Sequence, residues 1–230
     1  MKKYAIIVAG GSGTRMGGDI PKQFMAIGGR TILVRTVEAF LSAFNGDIDI
    51  VLVLPELHVD MWKECCQKDN FDASIVKIAH GGKTRFHSVK NGLTLVKSLA
   101  SGNDDALIGI HDGVRPLVSG ETIVEAYNTA EAKGTAIPVI DSVDSIRSIQ
   151  GNGGSKAEDR SKFKLVQTPQ TFRLSVISSA YDLDYRDTFT DDASVVEANG
   201  VNITLSKGNR ENVKMTTPFD LVVAEALLRK

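Results

Sequence analysis

Short apolar runs alternate along the chain with longer stretches in which apolar residues recur every three or four positions. The runs predict six strands, and three of them are apolar almost throughout, as strands covered on both faces require. The strands are expected at residues 4–9, 48–54, 74–79, 106–111, 135–139 and 201–206. The periodic stretches predict helices over residues 31–44, 84–99, 121–133 and 173–183, a helix around Trp62, and a last helix that begins after Thr217.

This alternation predicts an α/β fold, with a mostly parallel sheet and helices on both of its faces. Ligands of such sheets bind beyond the carboxyl ends of the strands. We find no internal repeat and no sign of a second domain, so residues 1–230 are expected to form a single domain.

One segment, residues 141–162, breaks the pattern because it holds only four apolar residues among 22. Asn152 and Gly153 near its middle form a hairpin-turn signal. Two interpretations stay open, a flexible loop or a protruding β-arm. An arm that packs on nothing would be unstable, so the second interpretation implies a partner subunit.

Composition excludes several classes of protein. The 27 lysines and arginines nearly balance the 28 aspartates and glutamates, so there is no global field that would hold a nucleic acid. A hydrophobic content of 42% is too high for a disordered chain. Because we see no apolar run of membrane-spanning length, no secretory signal and no zinc spacing around Cys65 and Cys66, we expect a cytoplasmic protein without a membrane partner.

A glycine-rich loop, residues 10–18, follows the first predicted strand, and its backbone N–H groups can approach phosphates closely. It is not a dinucleotide-binding loop, because Met16 stands where the third glycine is needed, and it lacks the Lys-Ser/Thr pair of the P-loop. Arg15 within the loop and Lys22 just beyond it are suited to a phosphate ligand.

Other strand ends also carry polar groups. Gly81 and Gly82 follow the third predicted strand, either as a second site of backbone approach or as a plain strand-to-helix turn. Asp112 ends the fourth strand, where it suits a metal ion, a ligand hydroxyl or a turn cap. Residues 190–194 have the pattern of a helix N-cap with acids in the first turn, and Lys214 precedes the last helix.

In their order, these motifs resemble the 2-C-methyl-D-erythritol 4-phosphate cytidylyltransferase family. Eight motifs carry the resemblance from end to end of the chain: residues 9–16, 21–24, 81–88, 111–116, 159–160, 167–170, 190–194 and 212–214. The resemblance implies a Rossmann-like nucleotidyltransferase fold and a homodimer whose β-arms, residues 141–166, interlock. It also implies cytidylyl transfer from CTP to 2-C-methyl-D-erythritol 4-phosphate in non-mevalonate isoprenoid biosynthesis, with Mg²⁺ or another divalent cation bound mainly through the CTP phosphates and no protein metal ligand assigned.

The resemblance assigns roles position by position. The catalytic set is Arg15, Lys22, Arg160 and Lys214, with Arg160 reaching over from the partner's arm. The CTP-binding set is Ala9, Gly10, Gly11, Ser12, Gly13, Gly81, Gly82, Arg85 and Ser88. The acceptor-binding set is Asp112, Arg115, Ser142, Thr168 and Thr190, with Ser142 standing where the family has an arm threonine that contacts the partner's acceptor.

The chemistry agrees with these roles. A phosphate monoester is already ionised near neutral pH, since its second pKa is about 6, so this nucleophile needs no general base. Catalysis then consists of positioning and of charge stabilisation by cations. The alternatives are a ribitol-5-phosphate cytidylyltransferase, disfavoured by Asp159, Arg160 and residues 190–194, and a nucleotide-binding regulatory protein that has lost turnover.

Overall fold

The computed structural model describes residues 1–10, 20–101, 105–151 and 153–229. In chain order the strands are β1 (Lys2–Val8), β2 (Ala26–Ile27), β3 (Arg30–Thr31), β4 (Asp49–Leu54), β5 (Val76–His80), β6 (Ala106–Asp112), β7 (Thr135–Asp141), β8 (Ile146–Ile149), β9 (Ser155–Glu158), β10 (Lys164–Val166), β11 (Gln170–Arg173) and β12 (Leu205–Lys207). The α-helices are α1 (Ile32–Ala43), α2 (Val59–Lys68), α3 (Arg85–Ala100), α4 (Gly120–Lys133), α5 (Leu174–Ala180), α6 (Asp192–Ala198) and α7 (Pro218–Leu228).

The central sheet has eight strands in the order β10-β7-β11-β6-β1-β4-β5, with β12 also paired to β7. Strands β6, β1, β4 and β5 are parallel to one another, whereas β11 runs antiparallel between β6 and β7. The predicted mostly parallel sheet is confirmed.

Helices cover both faces of this sheet, and β1 displays the consequence most clearly. Its alternate residues Tyr4 and Ile6 join a core cluster with α3, α5 and α6. Ala5 and Ile7 face the opposite way and pack with α1, α2 and α4. All four side chains are buried, which explains why this strand reads as a continuous apolar run.

The parallel strands end together along one edge of the sheet. Val8 of β1 is paired with Asp112 of β6 and with Val53 of β4, and Leu54 is paired with His80 of β5. The polar motifs that follow these strands therefore meet at this carboxyl edge, as expected for ligand sites of parallel sheets.

Side-chain caps hold the helices that flank this edge, and those at residues 190–194 and at Thr217 follow the sequence prediction. Thr84 caps α3 by accepting a hydrogen bond from the His87 backbone N–H. Asp191 caps α6 and forms a capping box with Ser194, and Thr217 does the same for α7 with Asp220. The helix expected from residue 173 begins one residue later, because Arg173 closes β11, a strand that the apolar pattern does not predict.

The segment with two open interpretations contains a hairpin. Strands β8 and β9 form a two-stranded antiparallel sheet of their own, apart from the central sheet. Its turn is closed by the Gln150 N–H, which donates to the Gly154 carbonyl oxygen, and Gly153 has a φ of 81°. Asn152, the other half of the predicted turn signal, lies outside the described residues. The hairpin leaves Ile149 81% exposed.

Across the described part of the chain, no helix is both long enough and apolar enough to cross a membrane.

Candidate active site

Two adjoining cavities open at the carboxyl edge of the sheet, each of about 320 Å³. The first cavity is lined by Val8, Ala9, Gly10, Lys22, Gln23, Gly82, Lys83, Thr84, Arg85, Ser88, Asp112, Val114 and Lys214. The second cavity is lined by Arg85, Asp112, Arg115, Val166, Gln167, Thr168, Gln170, Thr190, Asp191 and Lys214. Arg85, Asp112 and Lys214 line both and form their shared wall.

The floor of the first cavity is the end of β1. The side-chain amide of Gln23 donates to the Ala9 carbonyl oxygen at 3.1 Å, and the Ala9 N–H donates to the Val53 carbonyl oxygen at 2.9 Å. Lys22 lies beside Gln23 in a single 3₁₀ turn and is 92% buried, since only 8% of it is exposed. This tight turn therefore fixes a cation in the cavity wall.

On the opposite side, the glycine pair joins β5 to α3. The Gly82 N–H donates to the Ser88 hydroxyl oxygen at 3.0 Å, and that hydroxyl donates to the Thr84 carbonyl oxygen at the same distance. A Cβ on Gly82 would come within 2.4 Å of the His87 Cβ, so only glycine permits this approach. Gly10 faces the same group, because a Cβ built on it would lie 3.9 Å from the Ser88 hydroxyl oxygen.

Asp112 is the centre of the shared wall. Its Oδ2 lies 3.0 Å from Lys214 Nζ and 3.2 Å from Arg115 Nε, and its Oδ1 lies 3.8 Å from Arg85 Nε. Burial alone would raise the pKa of Asp112, but the positive charges of Arg85, Lys214 and Arg115 outweigh burial and hold that pKa well below its usual range. Three cations around one carboxylate leave this wall positively charged.

The neighbouring His111 is a structural group. Its ring is wholly buried, and burial lowers its pKa to about 4, so it is neutral at physiological pH. Nδ1 then accepts from the Thr168 hydroxyl at 2.9 Å, and Nε2 donates to the Arg115 carbonyl oxygen at 3.2 Å. Thr168 in turn accepts from the Asp112 N–H, so His111 holds the second cavity in shape rather than moving protons.

The terminal nitrogens of Arg85 bind a buried carboxylate, each through one of its two N–H groups. Nη1 and Nη2 donate to the two carboxylate oxygens of Asp192 at 2.9 and 2.6 Å, and Asp192 is fully buried. A CTP-binding role for Arg85 stays a prediction, and the structure shows that its guanidinium binds Asp192 within the protein.

Two glutamines and an asparagine shape the second cavity and were not among the predicted site residues. Gln170 accepts from the Ala193 N–H and donates to Asp191, both at 2.8 Å. Asn212 donates to the Thr168 carbonyl oxygen at 2.8 Å, and Gln167 donates to the Asn209 carbonyl oxygen at 2.9 Å. All three are buried polar residues in motifs that carry the family resemblance, at residues 167–170 and 212–214. That membership is the signal by which the sequence could have marked them as site residues.

The structure brings most of the predicted set together. At the first cavity lie Ala9, Gly10, Lys22, Gly82 and Ser88; at the second lie Arg115, Thr168 and Thr190; and Arg85, Asp112 and Lys214 lie at both. Gly81, Ser142 and Arg160 line neither cavity, the last two because they belong to the segment of the β8–β9 hairpin. Gly11, Ser12, Gly13 and Arg15 lie outside the described residues.

Among residues 1–10, 20–101, 105–151 and 153–229, no three His, Cys, Asp or Glu side chains cluster in a way that could hold a metal ion. Asp112 is the sole carboxylate among the described residues that line the first cavity, and it is paired with cations. Such a donor set suits a divalent ion held by a phosphate ligand rather than by a protein cage.

A mostly parallel sheet with phosphate-suited groups at its carboxyl edge fits the class of nucleotidyltransferases with a Rossmann-like fold. Solved structures agree: the chain superposes on 4-diphosphocytidyl-2C-methyl-D-erythritol synthase from Anaerococcus prevotii with a TM-score of 0.80 at 27% identity, covering 99% of this chain and 98% of that one. It also matches 2-C-methyl-D-erythritol 4-phosphate cytidylyltransferase from Thermus thermophilus, with a TM-score of 0.73 at 29% identity and full coverage of both chains.

The chain belongs to the 2-C-methyl-D-erythritol 4-phosphate cytidylyltransferase (IspD) family, whose model matches residues 4–230. Proteins of that name share 52% identity with it in Phocaeicola vulgatus and 50% in Bacteroides fragilis, each over 228 residues that cover 99% of this chain and all of the relative. The family expected from the order of the motifs is confirmed.

Proposed function

We propose that this protein transfers the cytidylyl group of CTP to the phosphate of 2-C-methyl-D-erythritol 4-phosphate in non-mevalonate isoprenoid biosynthesis. Full-length membership of the family and identity of about half to named relatives support this reaction. An acceptor phosphate oxygen attacks the α-phosphorus of CTP, the bond between the α-phosphorus and its bridging oxygen to the β-phosphate breaks, and pyrophosphate leaves.

The observation that carries the proposal is the pair of adjoining cavities with one cationic wall between them. A nucleotide in the first cavity and a polyol phosphate in the second would bring their phosphates together at Lys214 and Asp112. Joining two anions is the main electrostatic barrier of this reaction, and fixed cations at the meeting point lower it.

Within the described residues, Lys22 and Lys214 supply those cations, and both line the first cavity. The acceptor is ionised before it binds, so no side chain has to remove a proton, and the neutral, fully hydrogen-bonded His111 is consistent with that. A divalent ion on the CTP phosphates would add charge neutralisation at the leaving pyrophosphate. Arg15 is proposed as a further stabilising cation on the strength of the family resemblance.

The same proposal extends to assembly. We infer a single catalytic domain over residues 1–230 that forms a homodimer, in which residues 141–166 interlock as arms and carry Ser142 and Arg160 to the partner's second cavity. The exposure of Val143, Ile149 and Phe163 supports this, because an isolated hairpin with bare apolar side chains is stable only when covered. A cytoplasmic location fits a reaction between two phosphorylated metabolites.

The test is pyrophosphate release by the purified full chain with CTP, Mg²⁺ and one of two acceptors, the methylerythritol phosphate or ribitol 5-phosphate. We expect faster release with the methylerythritol phosphate, and loss of release when EDTA removes the divalent ion. Faster release with ribitol 5-phosphate would assign the sister activity. Tight CTP binding without pyrophosphate from either acceptor would indicate a regulatory nucleotide-binding protein.

A further inference from the structure

We propose that Arg85 and Asp192 form a positioning pair that holds the acceptor side of the site in register with the nucleotide side, and that Arg85 is not a ligand of the CTP phosphates. This inference rests on the proposed function and assigns a role within it. It also replaces the direct CTP contact that the sequence resemblance implies for Arg85.

The pair joins two elements that belong to different cavities. Arg85 is the first residue of α3, the helix that follows the glycine pair of the first cavity. Asp192 is the first residue of α6, directly after Thr190 and Asp191, which line the second cavity. The two parallel hydrogen bonds between guanidinium and carboxylate fix both distance and orientation, since a bidentate pair tolerates little rotation.

Asp192 is itself held in place, so it anchors Arg85 rather than following it. Its Oδ1 accepts a second hydrogen bond from the Tyr181 hydroxyl at 2.6 Å, and its side chain is fully buried. The Tyr181 ring stacks on Phe86, the residue next to Arg85, with ring centroids 4.6 Å apart. Burial, followed by the negative charge of Asp192, raises the pKa of Tyr181, so the hydroxyl remains a donor.

The remaining nitrogen of Arg85 faces the reacting centre. Nε lies 3.8 Å from Oδ1 of Asp112, while Oδ2 of that carboxylate faces Lys214 and Arg115. A guanidinium clamped by Asp192 therefore holds a fixed positive charge beside Oδ1, which favours the orientation of Asp112 in which Oδ2 faces Lys214. Nη1 and Nη2 each give one N–H to Asp192, which fixes the plane of the guanidinium, so the pair is suited to orienting Asp112 and Thr190.

The test replaces the pair by apolar side chains, Arg85→Met with Asp192→Leu, because buried ion pairs exchanged for apolar residues of similar volume often leave a folded protein. Calorimetry with CTP and Mg²⁺ gives the CTP Kd, calorimetry with methylerythritol phosphate gives the acceptor Kd, and pyrophosphate release gives the kinetics. We expect the CTP Kd to stay within about twofold, and kcat/KM for the acceptor to fall about 10- to 100-fold, the cost of a misplaced reactant.

The matched control is Arg30→Met with Glu38→Leu, which removes another bidentate pair of an arginine with a carboxylate. Neither residue lines the two cavities, so CTP affinity and acceptor kinetics are expected to remain at the level of the unmodified chain. If the Arg85/Asp192 double variant does not fold, Arg85→Lys is used, which keeps the charge but loses the two parallel hydrogen bonds. We again expect an unchanged CTP Kd and a lower kcat/KM for the acceptor, with a smaller fall than in the double variant.

A CTP Kd that weakens as much as acceptor kcat/KM falls would make Arg85 a nucleotide ligand and overturn the inference. Unchanged CTP affinity together with unchanged acceptor Kd and kinetics in a folded variant would also overturn it, leaving the pair a purely structural one. Absence of turnover by the unmodified chain would count against the proposed function instead, and the two calorimetric constants would still decide the role of the pair.

Discussion

Nζ of Lys214 lies 3.0 Å from Oδ2 of Asp112, at the wall that the two cavities share. Lys214 comes from the loop before α7 and Asp112 from the end of β6, so the contact joins the last part of the chain to the centre of the sheet. The carboxylate holds the ammonium in place without an intervening group, and 43% of the lysine side chain stays accessible to a ligand.

This contact predicts the effect of removing the cation. Lys214→Ala should lower the rate of pyrophosphate release by on the order of 10²–10³, the usual cost of losing one group that stabilises developing charge. Lys214→Arg should retain part of the rate because it keeps the charge. The control Lys207→Ala removes an exposed lysine of β12 that lines neither of the two cavities, and a comparable loss of rate in that variant would refute the role of Lys214.

Lys22 should behave differently from an ordinary surface lysine. Because it is buried in the wall of the first cavity, Lys22→Ala should reduce kcat by on the order of 10²–10³ while the far-ultraviolet circular dichroism spectrum stays unchanged. Lys77→Ala on the exposed side of β5 is the matched control and should keep its kcat. A near-normal kcat in a folded Lys22→Ala protein would contradict the assignment.

The arm can be tested with mixed dimers. Arg160 is exposed, and its guanidinium donates to the Val143 carbonyl oxygen on the other side of the hairpin. If Arg160 serves the partner's second cavity, then pairing an Arg160→Ala subunit with a Lys22→Ala subunit gives a predictable result. With a swapped arm, the Arg160→Ala subunit keeps its own Lys22 and receives an intact arm from its partner, so its site is complete.

In that mixed dimer, a swapped arm places the missing arginine at the site that already lacks Lys22, so the other site keeps full function and about half of the dimer's activity survives. An arm that serves its own subunit leaves one defect in each site, and activity then falls to the level of the two parent variants. Pyrophosphate release by tagged, purified heterodimers distinguishes these outcomes. A monomeric chain in sedimentation would contradict the proposed dimer directly.

Much of the fold could be predicted because its determinants are local. β1, β4 and β6 each contain a continuous apolar run, since each has helices on both faces. Thr84, Asp191 and Thr217 mark helix starts through side-chain hydrogen bonds with residues three positions ahead. β11 could not be predicted in this way. Its polar Gln170 and Thr171 are buried by pairing with β6 and β7, a tertiary circumstance that apolar patterning does not encode.

The site divides along the same line. The strand-end positions of Gly82 and Asp112 follow from where parallel strands stop, and the structure brings both residues to one cavity with Lys22. The commitment of Arg85 to Asp192 could not be predicted, because the two residues are 107 positions apart and either one alone resembles a surface charge or a helix cap. Only the tertiary fold, which brings the first residue of α3 beside the first residue of α6, makes them partners.

A single phenol links α4 to the sheet and provides a test of fold stability. The Tyr127 hydroxyl donates to the Tyr4 carbonyl oxygen at 2.7 Å and accepts from the Gly109 N–H at 3.1 Å, all fully buried. Tyr127→Phe leaves both backbone groups without this partner and should lower the free energy of unfolding by about 1–3 kcal/mol. Urea denaturation measures this. Tyr185→Phe, at a 39% exposed position, should change it by less than about 0.5 kcal/mol.

His111 predicts how stability depends on pH. Burial lowers its pKa from 6.5 to about 4 in the folded chain, so between these two values the unfolded chain binds the proton that the folded chain excludes. Stability contributed by the neutral ring is therefore fully present above pH 6.5 and is lost as pH falls toward 4, by up to about 3 kcal/mol. Asp112, whose pKa is held down by three cations, adds a loss of the same sign at lower pH.

The variant His111→Gln isolates the histidine contribution, because an amide can still donate toward the Arg115 carbonyl oxygen but does not titrate. Its unfolding free energy at pH 7 should be lower than that of the unmodified chain, since the fit of the ring is lost, yet its decline between pH 6.5 and 4 should be shallower. Urea titrations at half-unit pH steps measure both slopes. Parallel curves for the two proteins across this window would mean that His111 takes up its proton without unfolding, and would refute the view that the buried ring must stay neutral to hold Thr168 and Asp112 in place.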